Sequence, residues 1–77
     1  MSHNLRLIAP AREFPLRQTK TSIMRKTLGR SRADVLLVYA KDVMTDSTPE
    51  TVELDIEHLH ALVEFCHANP DFRWGYT

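Results

Sequence analysis

Glycine, cysteine and long apolar runs are all scarce in this chain. The two glycines, Gly29 and Gly75, provide no Gly-rich loop to cradle a phosphate. A single cysteine, Cys66, excludes an intrachain disulfide and any Cys-x-x-Cys motif. An odd cysteine count is what a reducing compartment favours, and Cys66 reads as a small buried hydrophobe on a helix. The longest apolar run, the six residues from Val35 to Ala40, falls far short of the ~20 residues needed to span a bilayer. The opening Met1-Ser2-His3-Asn4 is polar and leads into a broken strand pattern, not an apolar signal segment. No membrane partner is therefore expected, and the localisation expected is cytoplasmic. Ser22, Ser31 and Ser47 stand in no nucleophile-elbow context. The expectation is a chain that is not an enzyme, with no cofactor, no resident metal and no small-molecule substrate.

What is present is a globular composition and a polarised charge. Hydrophobic residues make up 43% of the 77 and six residues are aromatic, which argues against disorder over the whole chain. Residues 1–77 read as one small domain ending in an aromatic tail, 70–77. A domain of this size buries little more than ~60% of its unfolded surface, so its stability margin is thin. From Met1 to Ala33, eight Lys or Arg face one acid (+7). From Asp34 to Thr77, two bases face nine acids (−7). A formal net charge of zero conceals this division, which bears on partners more than on fold.

Apolar spacing suggests an α+β order. Leu5, Leu7 and Ile8 before Pro10 predict a strand over about 4–9, and Ala11 to Leu16, with Pro15 and no period, predicts a loop. Residues 19–28 fit a helix with Ile23, Met24, Thr27 and Leu28 on one face, or a Thr-rich strand; the helix is favoured. The run Val35 to Ala40 predicts a central strand over 33–41, and Asp42 to Pro49 a turn-rich link. Val52, Leu54 and Ile56 alternate with Glu53, Asp55 and Glu57, which predicts a further strand. The alternative is a helix starting at Thr48-Pro49-Glu50. Asp55 as N-cap, with Leu54 and Leu59 as a hydrophobic staple, favours strand then helix. Residues 56–68 are strongly helical, with Ile56, Leu59, Leu62, Val63, Phe65 and Cys66 on one arc. Asn69, suited to a left-handed C-cap, and Pro70 would end that helix. The fold expected is a small, mainly antiparallel sheet of three to four strands, with this C-terminal amphipathic helix on one face.

Three constellations are candidates for function. His60, Glu64 and His67 share a helical stripe with Glu57, the Glu-x-x-His spacing of di-iron bundles, but a single helix cannot complete such a site; a solvated face is expected. Arg17, Lys20, Arg25, Lys26, Arg30 and Arg32 are interleaved with hydroxyl and amide side chains, a chemistry suited to phosphates or to an acidic partner. The same cations could instead face acids of residues 42–64 within the fold. Phe72, Arg73, Trp74 and Tyr76 form the tail; its three aromatics alternate, so an extended tail points them all one way. Such residues dominate interfaces, but they would equally serve to cap a small core. The function expected is a small protein-binding or regulatory module, with another protein or itself as partner, most simply as a homodimer. Short, catalytically empty, charge-polarised chains suit inhibitors of host machinery encoded by phages or mobile elements. Nucleic-acid binding through residues 17–32 is the alternative.

Overall fold

A computed structural model describes residues 5–18 and 31–76. The alternation of Leu5 and Leu7, both buried, with half-buried Arg6 and Ile8 makes the first strand, β1 (Leu5–Ile8). A short turn closed by the Ala9 N–H to Arg12 carbonyl bond (2.8 Å) leads into β2 (Glu13–Pro15). This strand falls where a loop was expected. It is three residues long, too short to show a period, and it lies at the sheet edge, where a proline's missing N–H is tolerated. The last strand, β3 (Arg73–Tyr76), returns to the other side of β1, giving the order β2-β1-β3 with both pairings antiparallel. Leu7 lies opposite Phe14 on one neighbour and Trp74 on the other.

Among the described residues, two helices lie between the second and third strands: α1 (Arg32–Asp46) and α2 (Val52–Ala68). The first replaces the strand expected over 33–41 and absorbs the start of the turn expected over 42–49. A continuous apolar run fits a buried helix segment as well as a strand, and here the local signals favour the helix. Ser31 caps it, its hydroxyl accepting from the Asp34 N–H at 3.2 Å. Asp34 itself sits in the first turn, where a carboxylate suits the helix dipole. Burial then recurs at Val35, Tyr39, Asp42 and Val43, the helical period.

The strand expected over 50–55 is likewise helix. Its apparent alternation marks no buried face, because Leu54 is 64% exposed and Ile56 42% exposed. The competing reading, with a helix start beside Thr48-Pro49-Glu50, is the one that holds. The Thr51 and Val52 N–H groups both donate to the Thr48 carbonyl (3.0 and 2.9 Å). Asp55 is not the N-cap; it lies one turn inside α2 and is fully buried. At the other end Asn69 is the C-cap, at φ −132° and so not left-handed. Its amide donates to the Phe65 carbonyl at 3.0 Å, satisfying a helix-end acceptor.

The fold is α+β, and the described residues form a three-stranded antiparallel sheet and two helices. Residues 56–68 lie within α2 as expected, while the expected strand and loop assignments around them change. The core joins Leu5 and Leu7 of the sheet to Tyr39 and Val43 of α1, Leu62 and Phe65 of α2, and Phe72 just before β3. Phe14 of β2 touches the rings of Phe65 and His58, each at 5.5 Å between centroids. The expected segment 19–28 lies outside the described residues.

Candidate protein-binding surface

The link from Ser47 to Thr51 is short, so α1 and α2 form a helical hairpin. The hairpin uses one stripe of each helix for the core and, among the described residues, leaves the adjacent stripe uncovered. Leu36 and Ala40 of α1 and Leu59, Leu62, Val63, Cys66 and His67 of α2 line a groove of about 320 Å³. That volume lies at the lower end of ordinary binding pockets, and its lining is apolar apart from the His67 ring. Exposed Leu37 and Met44 extend the same side of α1, and Ile56 extends that of α2. Leu54 is half a turn away from Val63 and does not belong to it.

A half-buried polar network centred on buried Tyr39 and Asp55 fixes the hairpin from the side facing β2. The Arg17 guanidinium is ion-paired to Asp55, whose side chain is fully buried and also accepts from the Thr51 hydroxyl at 3.3 Å. The Arg17 backbone N–H donates to the Tyr39 hydroxyl at 3.1 Å, and that hydroxyl lies 2.5 Å from His58 Nε2. Burial pushes the Tyr39 phenol up to about 12, outweighing the lowering effect of the Arg17 N–H bond and charge. Burial, and then the Arg17 charge, hold His58 below the usual histidine value. With the imidazole neutral, its tautomer sets the direction of this bond: the Tyr39 O–H donates to a bare Nε2, whereas a protonated Nε2 donates to the phenol oxygen. One residue, Arg17, therefore ties the strand segment to both helices.

These positions account for several of the residues singled out in the sequence. Of the six cations, Arg17 is consumed by Asp55, an acid within residues 42–64, as one of the readings anticipated. Arg32 donates to the Pro70 carbonyl at 2.9 Å and lies over the Phe72 ring at 5.0 Å, tying the start of α1 to the entry of β3. Lys20, Arg25, Lys26 and Arg30 lie outside the described residues. Phe72 is buried and Trp74 half-buried against the core, with their rings edge-to-face at 6.0 Å. Arg73 is exposed opposite Ile8, and Tyr76 pairs with Leu5 along the backbone. The tail folds back and closes the core.

His60, Glu64 and His67 are exposed, and among the described residues no group of three His, Cys, Asp or Glu is placed to hold a metal. Cys66 is half-buried, and burial raises its thiol pKa, the opposite of an activated nucleophile. The α2 half of the groove was legible as the apolar arc of residues 56–68. The α1 half was missed because Leu36 to Ala40 read as strand, although Ser31-x-x-Asp34 is a helix-start signal. No known protein family, curated protein or solved structure matches this chain.

Proposed function

We propose that this protein is a small non-enzymatic protein-binding module that acts by contact, using the groove between α1 and α2 to hold a partner's helix. The observation that supports this reading is an apolar stripe shared by two adjacent helices and left uncovered by the other described residues, in a chain with little apolar surface to spare. A helix laid between two helices is a recurring recognition mode. The ionisable groups shifted by burial support it too, since the Tyr39 phenol and Cys66 thiol are held in their protonated, unreactive forms. Regulation by occupying a partner's surface, as a phage or mobile-element inhibitor would do, fits such a module.

The test pairs wild type with Val63→Lys. Val63 is 52% exposed, so the substitution charges the groove without emptying the core. Partners captured from lysate by the wild-type protein are identified and their binding re-measured with purified components, with and without nuclease. A purified protein partner that loses affinity for Val63→Lys supports the reading. Association that disappears with nuclease, or that falls steeply with salt and ignores Val63, would assign the protein to nucleic acid instead.

A further inference from the structure

The walls of the groove narrow its occupant. We infer that it receives an amphipathic helix with Lys or Arg flanking its apolar ridge, carried by a different protein and not by a second copy of this chain. This assignment rests on the protein-binding reading above and adds the partner's chemistry. At 100° per residue, the apolar positions Val63 and Ile56 of α2 are followed by His67 and His60, then by Glu53, Glu64 and Glu57. On α1 the stripe of Leu36 and Ala40 passes through Leu37 to Lys41 and Asp34. Four carboxylates and one ammonium therefore lie on the exposed flanks of the two helices, beyond the apolar lining. Glu53, Glu57, Glu64 and Asp34 are all exposed, and none is in an ion pair among the described residues. Unpaired acids of one sign beside an apolar slot attract cations and repel like charge.

The same charges disfavour a second copy in the simplest two-fold arrangement. With α2 packed on α2 about the two-fold, Glu53, Glu57 and Glu64 would meet their own equivalents, and neither described helix of a second copy carries a basic ridge, since α2 has no Lys or Arg and α1 has only Arg32 and Lys41. Arg17 and Arg32, two cations of the basic half, are already engaged within the chain. A helix with apolar residues at i, i+3, i+4 and i+7 and basic residues beside them meets both the floor and the rim.

The probe is a labelled Leu/Lys peptide of about four helical turns, with leucines at that spacing. It is titrated against the intact protein by fluorescence anisotropy. Controls are a scrambled peptide of identical composition and a Leu/Glu peptide of identical pattern. Saturable binding of the Leu/Lys peptide is expected, with weakening of about tenfold or more in Val63→Lys and in the pair Glu53→Lys and Glu64→Lys. The scrambled and Leu/Glu peptides should bind far more weakly. Circular dichroism of each variant confirms that the exposed substitutions leave the fold intact. Equal binding of the scrambled peptide, or indifference to Val63→Lys, overturns the inference. So does a dimer of the protein alone that Val63→Lys disperses in sedimentation, since the occupant is then a second copy. If purified partners depend on Val63 while the Leu/Lys peptide fails to bind, the partner chemistry is wrong and the protein-binding reading stands; if neither depends on Val63, both fall.

Discussion

Arg17 does more for this fold than its place in a cation-rich stretch of sequence suggests. Asp55 is fully buried, and its only ion-pair partner among the described residues is that guanidinium, whose own side chain is 41% exposed. Removing the cation strands a carboxylate away from water. Arg17→Ala should cost about 2–3 kcal/mol, between the ~0–1 of surface pairs and the ~3–5 of fully buried ones. Adding Asp55→Asn should recover part of that loss, because a neutral amide tolerates the site better than an unpaired charge. Urea denaturation of the two single variants and the double variant measures the coupling. His58 supplies a second expectation. Its folded pKa lies below its usual 6.5, so the unfolded chain takes up the proton first as pH falls. The stability it contributes is complete above 6.5 and is lost as pH drops through the folded value. The melting temperature should therefore fall from pH 7 to pH 5. His58→Gln, which cannot titrate, should fall less over the same interval. An equal fall in both would place the acid sensitivity elsewhere.

At the scale of elements, what the sequence made legible depended on whether one period stood alone. The strand at Leu5–Ile8 was readable because alternation, a following proline and no competing helical set agreed. The helical arc from Ile56 to Cys66 was readable because it runs three turns. The first helix was not, because a run with no polar residue inside it carries no period, and length alone cannot arbitrate over six residues. Ser31-x-x-Asp34 held the missing information: a hydroxyl cap followed by an acid in the first turn. Ser31→Ala should accordingly cost about 1 kcal/mol, read as a lower urea midpoint with unchanged slope. The second strand was unreadable for a different reason, since its three residues are defined by pairing with β1 and not by their own propensity. The groove was half legible for the same reasons, its α2 wall following from period and its α1 wall hidden with the helix that carries it.

For the whole molecule, the aromatic tail decides whether a chain this small has enough core. A docking tail would leave the rest of the fold self-sufficient, whereas a structural tail makes the chain end part of the sheet. Geometry favours the second. The last strand pairs with every residue of β1, from Leu5 opposite Tyr76 to Ile8 opposite Arg73. It also brings Phe72, 5% exposed, and the half-buried Trp74 onto the same core as Leu7 and Val43. Two large aromatics and one of two sheet edges are a large share of what 77 residues can bury. Losing residues 71–77 would also remove the Phe72 ring under Arg32 and leave its Pro70 acceptor at a loose chain end, loosening the start of α1 as well. Deleting residues 71–77 should therefore abolish the cooperative thermal transition, leaving a broad, sloping melt with weakened near-ultraviolet circular dichroism. A deletion variant that melts sharply and within a few degrees of the full chain would show that the two helices and the first hairpin hold together on their own. The tail would then be free to serve as a docking strand.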